Sequence, residues 1–254
     1  LLIINYLLAA GNLYIVTYKI YPSGVVKVDA RFTSADMQVA ESEVSEATRT
    51  ATFTPGNDAA RKAAAKLNVP RIGVRFRLPA EMNVVEYFGR GPEENYIDRN
   101  AGTLIGLYKT TADKMYYNYV RPQENGHHTD TRWLSLSKKG GKRLTIVADS
   151  IIGFNALRNS IEDFDSEEAL PHPRQWNNFS PEEIANHDEE AARNVLRRMH
   201  HVNDITPRDF VEVCVDMKQQ GVAGYNSWGA RPEPGYTIPA NQEYNWGFTL
   251  IPDK

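Results

Sequence analysis

Two short stretches of the chain concentrate its reactive side chains. Gly89-Arg-Gly-Pro-Glu-Glu-Asn-Tyr-Ile-Asp-Arg99 carries Arg90, Glu93, Glu94, Asp98 and Arg99. Tyr119-Val-Arg-Pro-Gln-Glu-Asn-Gly-His-His-Thr-Asp-Thr-Arg-Trp133 carries Arg121, Glu124, Asn125, His127, His128, Asp130 and Arg132. Two carboxylates held ~5–9.5 Å apart would suit a glycosidic bond, one as acid and the other as nucleophile or base. The interleaved arginines offer a plainer fate, ion pairs that brace the loops. The residues alone leave both open, with bracing the commoner outcome for mixed charges.

Other chemistries fit less well. The histidine pairs His127-His128 and His200-His201 lack the i, i+4 spacing of a helical zinc site, and Cys214 is the one cysteine. These histidines read as loop or surface residues, and no metal site is expected. No Gly-x-Ser-x-Gly elbow occurs, and Cys214 lies in the alternating run Val211–Asp216, as a buried structural thiol would. Gly89-Arg-Gly is not followed by Lys-Ser/Thr, so it is no phosphate cradle. Carbohydrate contact needs an aromatic plane beside polar groups. Trp228, in the Gly/Pro-rich run Gly221–Gly235, suits that role, whereas Trp133 and Trp246 lie in strand-like runs and are expected in the core.

The elements that must position these loops read as strands. Leu13–Tyr21 and Val25–Phe32 form a hairpin about Pro22-Ser23-Gly24. Arg71–Leu78 alternates, with Val74, Phe76 and Leu78 opposite Arg75 and Arg77. Further strands are expected over 84–88, 132–137, 143–148, 151–156, 208–217 and 244–251. Met37–Asn68 and Ile161–Asp204 read as surface excursions with short helices, one over 58–66 and one capped by Ser180. Leu1–Ala10 is apolar but lacks a basic start, so a chain beginning inside a domain is expected rather than a signal peptide. Many short strands with few helices define an all-β class, and a single sandwich domain over 1–254 is expected.

Composition narrows the partners. A net charge of −3 with 41% hydrophobic residues suggests neither a nucleic-acid surface nor a disordered tail. No run approaches the ~18 apolar residues that span a membrane. One cysteine allows no intrachain disulfide, which leaves the compartment open.

Phe88–Arg99, Tyr119–Gly126 with Thr131-Arg132, and Ser227-Trp228 together resemble the C-terminal, small-chain domain of glycoside hydrolase family 2 β-galactosidases, in wording like that of the Bacteroides branch. The resemblance runs in order from about Asn12 to Pro252. It implies an antiparallel super-sandwich like galactose mutarotase. It also implies a larger bacterial enzyme, oligomeric when complete and cytoplasmic or periplasmic, that hydrolyses terminal β-galactosides with retention. The catalytic glutamates of that family lie on a preceding barrel, so none is expected here. Magnesium and sodium are implied for that barrel, and no cofactor for this chain. By the resemblance Trp228 contacts the leaving-group sugar, and Glu124, Asn125, His127 and Arg90 are possible loop contacts. A stand-alone carbohydrate-binding module remains open. So does a mutarotase-like epimerase, which would need His127 or His128 as acid and Glu124 as base.

Overall fold

The computed structural model describes residues 1–7, 12–34, 68–120, 122–164, 202–226 and 230–253. Ten strands occur among them: β1 Leu2–Leu7, β2 Leu13–Ile20, β3 Val26–Thr33, β4 Arg71–Pro79, β5 Val84–Gly91, β6 Leu104–Thr111, β7 His128–Ser137, β8 Arg143–Leu157, β9 Phe210–Gln219 and β10 Tyr244–Pro252. One helical turn, α1 (Ala112–Met115), follows β6. The expected helices over 58–66 and after Ser180 lie outside the described residues.

The β2–β3 hairpin forms where the turn residues permit it. Gly24 takes φ +84°, and the Gly24 amide donates to the Tyr21 carbonyl at 2.9 Å. Tyr14 and Val16 on β2 and Val28, Ala30 and Phe32 on β3 are buried, because alternation places them on one face. β10 lies between β3 and β8, with Phe248 opposite both Val28 and Ala148. Every pairing is antiparallel, in the order β1-β2-β3-β10-β8-β7-β5-β6.

β8 is where the sheet divides. Its first part, Leu144–Ala148, pairs with β10, and its last, Gly153–Leu157, pairs with β9. β7 runs along the other edge of both parts, and β4 completes the second arm by pairing with β9. The burial pattern follows. Val147, Asp149, Ser150 and Ile151 are exposed, whereas every residue from Ile152 to Leu157 is buried. The sequence reads these as separate strands over 143–148 and 151–156, and the structure joins them into one.

One core cluster spans both arms. Phe32, Tyr87, Leu134, Leu136, Ile146, Phe154, Val213 and Phe248 belong to it. Each such side chain contributes about 1.5–3 kcal/mol by leaving water. The all-β, antiparallel architecture expected of a sandwich is therefore present.

Several local expectations change. Leu2–Leu7 forms edge strand β1, paired with β2 in register Leu2↔Tyr18. β6 was not legible, because its Gly106 and flanking polar turns break the alternation. Trp246 meets the core and donates from Nε1 to the Tyr14 hydroxyl at 3.2 Å. Trp133 does not join the core. Leu134 and Leu136 take the inward positions of β7, so Trp133 points outward, in register with Phe88 and Val147.

Candidate functional site

The two polar loops meet at the end of the sheet where β5 finishes and β7 begins. Beneath them lies a buried polar cluster centred on Asn155 of β8. Its Oδ1 accepts from Arg71 Nη2 at 2.5 Å and lies 2.8 Å from His127 Nδ1. Its Nδ2 donates to the Asn125 carbonyl at 2.7 Å and to Glu124 Oε1 at 3.1 Å. Both donors and both acceptor positions of the amide are thus used. Two strands supply the charges. Arg71 opens β4, and its guanidinium grips Asp216 of β9 through Nε at 2.8 Å and Nη2 at 2.5 Å. The β4–β9 register shifts between Ile72 and Gly73, and a side chain at Gly73 would overlap the Asp216 carboxylate.

His127 and His128 are enclosed, at 1% and 2% exposure, not on the surface as their loop setting suggests. β7 begins at His128, earlier than the aromatic run marks, and carries the pair inside. His127 stacks on Tyr96 at 5.5 Å, and His128 stacks on Phe154 at 5.3 Å. Burial pulls the His127 imidazole down to about 3, helped by the charge of Arg71. Burial likewise pulls His128 to about 4. Both rings are therefore neutral at pH 7. Burial pushes the Glu124 carboxyl above its usual range, against the pull of Arg71 3.6 Å away.

Among the loop carboxylates, Glu94, Asp98, Glu124 and Asp130 have partners, and Glu93 is exposed. Asp130 pairs with Arg90, which also donates to the Thr103 carbonyl at 2.8 Å. Glu94 accepts from Arg99 at 2.7 Å, from the Tyr119 hydroxyl and from the Gly126 amide at 2.6 Å. Arg132 departs from the expected pairing. It donates to the Asp130 backbone carbonyl and lies over the Phe88 ring at 5.7 Å. Asp98 departs as well, since its carboxylate accepts from the amides of Val222 and Ala223 at 3.1 and 2.7 Å. Arg121 lies outside the described residues.

The candidate contacts sort accordingly. The structure brings Glu124, Asn125 and His127 together around Asn155 and sets Arg90 apart with Asp130. Asn125 is 1% exposed, and its side chain joins the Tyr117 amide at 3.2 Å to the Gln123 carbonyl at 2.8 Å. The space beside Glu124 is about 10 Å³, room for roughly one water. Trp228 lies outside the described residues, which reach the foot of its loop at Asn226. Sequence reasoning missed Arg71, Asn155 and Asp216. A lone Asn in the apolar run Ile151–Leu157 is the signal that marks this centre.

A roomier recess, about 720 Å³, opens at the far end of the same strands between Val84, Lys109, Lys138 and Arg143. No aromatic ring lines it, so it offers no plane for a sugar. Lys109 and Arg143 share Glu86 there. No group of three or more His, Cys, Asp or Glu side chains is set to hold a metal among the described residues. Cys214 is free and buried, its thiol pushed up to about 12 by burial. No helix among the described residues is long and apolar enough to cross a membrane.

An all-β domain whose polar loops are tied into one end of its sheet is the class defined here. Residues 3–250 match the model of the β-galactosidase small chain family, and the chain belongs to that family. It is similar to a β-galactosidase of Priestia megaterium, 32% identical over 72% of this chain and 15% of that protein. A β-galactosidase of an Arthrobacter species is 40% identical over 46% of this chain and 12% of that protein. One from Actinobacillus pleuropneumoniae is 29% identical over 73% of this chain and 15% of its own length. The chain therefore spans about 15% of such curated relatives.

Proposed function

We propose that this chain is the small-chain domain of a family 2 β-galactosidase that hydrolyses terminal β-galactosides with retention. In this reading it completes the mouth of an active site whose catalytic carboxylates lie on another domain. Trp228 meets the leaving-group sugar there, and the remaining domains of the enzyme are the partners. The family match over residues 3–250 carries the proposal. The polar loops support it, because Glu94, Glu124 and Asp130 are committed to arginines and Asp98 to backbone amides. Those commitments leave Glu93 as the one other carboxylate of the two loops, so no pair is free for a glycosidic bond among the described residues. The enclosure of His127 and the one-water space beside Glu124 oppose an epimerase, which must seat a whole sugar ring.

The purified chain is expected not to hydrolyse a chromogenic β-galactoside, since general acid and nucleophile are both supplied elsewhere. Turnover that Glu124→Gln abolishes would overturn this. In an enzyme that contains the chain, Trp228→Ala is expected to weaken glucose binding on the leaving-group side by about 1–3 kcal/mol, the usual worth of a stacked ring. Galactose inhibition should change far less. Equal losses for both sugars, or none for either, would remove Trp228 from the site.

A further inference from the structure

We infer that the recess between Val84, Lys109, Lys138 and Arg143 is an anion-binding site, suited to a short chain of phosphoryl groups. This site is independent of the function proposed above, and its test reads binding rather than turnover.

Strand register builds the floor. Val84 of β5 lies opposite Thr111 of β6 on one side and Ser137 of β7 on the other, and Ser137 lies opposite Arg143 of β8. Glu86 and Lys109 pair one step along. Val85 and Tyr87 are buried in the core, so their neighbours Val84 and Glu86 take the other face of the sheet. The walls are fixed as well. On one side the Lys138 amide donates to the Lys142 carbonyl at 3.0 Å and the Gly141 amide to the Lys138 carbonyl at 2.9 Å, with Gly140 at φ +68°. On the other, buried Ala112 and Met115 anchor α1, and Lys114 between them lines the recess.

Five cations and one carboxylate line this space of about 720 Å³. The whole chain carries −3, so the positive excess is local. Lys109 and Arg143 share Glu86, and Lys138 pairs at 2.9 Å with Glu81, which does not line the recess. Lys114 and Lys139 have no carboxylate partner among the described residues. Ser137 is an independent sign of a site. It lines the recess at 8% exposure, yet its hydroxyl has no hydrogen-bond partner among the described residues. A buried donor left unpaired is costly, and a ligand oxygen at this point would satisfy it. Thr111 also lines the recess, and its hydroxyl makes no cap bond to α1.

The mix of donors selects the ligand. An ammonium is a point charge that serves phosphoryl oxygens from many directions, whereas a lone carboxylate is held best by an arginine fork. Four lysines spread over β6, α1 and the β7–β8 turn therefore suit several linked phosphoryl groups. No aromatic ring lines the recess, so a nucleobase attached to the chain finds no stacking partner there. Inorganic triphosphate and a nucleoside triphosphate are two sources of this one chemistry.

The test is calorimetric titration of the complete enzyme that contains this chain, in buffer free of divalent cations. Inorganic triphosphate and ATP are the probes, and citrate is the carboxylate control. Saturable binding of triphosphate is expected, with citrate at least tenfold weaker. Lys114→Ala and Lys139→Ala, both at exposed side chains that the fold does not need, should each weaken triphosphate binding about fivefold. Glu86→Gln removes the one carboxylate that lines the recess and should tighten binding several-fold. Ser137→Ala should weaken binding without changing its salt dependence. Lys19→Ala removes an exposed cation outside the recess and should change nothing. ATP no tighter than triphosphate would identify the inorganic chain as sufficient. ATP tenfold tighter, with the gain lost in Lys139→Ala, would identify the nucleotide as the source. Absence of saturable binding at millimolar triphosphate would overturn the proposal. So would citrate binding as tightly, binding unchanged in both lysine variants of the recess, or an equal loss in Lys19→Ala.

Discussion

Asp216→Ala is expected to destabilise the domain by about 3–5 kcal/mol, the usual loss when one member of a buried ion pair is removed. Asp216 is 1% exposed and receives two hydrogen bonds from Arg71, whose side chain keeps 18% exposure. Without Asp216 the guanidinium retains Glu124 at 3.6 Å and the Asn155 oxygen, neither of which replaces a two-pronged contact. Removing both charges should hurt less than the sum of the single losses, because no unpaired cation is then left inside. Urea unfolding of wild type, Asp216→Ala, Arg71→Met and the double variant measures this directly. Additive losses would mean that the pair contributes only packing.

Acid should destabilise the fold well above the carboxylate range. The ordinary imidazole value is 6.5, and the folded values are about 3 for His127 and about 4 for His128. Between those limits the unfolded chain binds protons that the folded chain refuses, so stability falls as pH falls. The loss begins near pH 6.5 and is complete once the folded rings titrate. With both histidines contributing, the slope approaches roughly 3 kcal/mol per pH unit. Glu124 acts in the opposite sense. Burial raises its pKa and that of Asp216, so the folded state takes protons early and part of the slope is offset. Glu86, lowered by Lys109, and Glu162, lowered by Arg75, add their losses only at more acidic pH. Urea midpoints between pH 6.5 and 5 therefore report the two histidines less that offset. His127→Gln should flatten the slope by about one proton. Stability that stays level across this range in wild type would show that the rings can be protonated in the folded state.

What the sequence discloses follows from periodicity. Strands with one face in water alternate, and β2, β3, β4 and β10 are readable for that reason. β6 lacks the pattern, since Leu104, Ile105 and Leu107 are all exposed and Tyr108 alone of its side chains packs on the core. The buried cluster was hidden by distance along the chain. Arg71, Asn155 and Asp216 come from three strands and His127 from the residue before a fourth, and only register brings them within hydrogen-bonding reach. His127 and His128 look like loop residues because Pro122, Asn125 and Gly126 precede them, yet Gly126 at φ +73° turns the chain inward. The family signature was readable because it sits in contiguous loops. What each charged residue in those loops binds was not, since Asp98 reaches amides far along the chain rather than a neighbouring arginine.

The placement of β10 governs the order in which the molecule can assemble. It is synthesised after every strand it joins, yet it lies between β3 and β8. Until Pro252 is in place, β3 and β8 each present an open edge of amides and carbonyls to the surroundings. The β1–β2–β3 meander and the β5–β6–β7–β8 group can form early from local contacts, but they become neighbours in one sheet only when β10 threads between them. Such late, long-range closure is slow and leaves sticky edges exposed in the meantime. Until β10 is paired, those two edges are where this chain can take up a strand of another molecule.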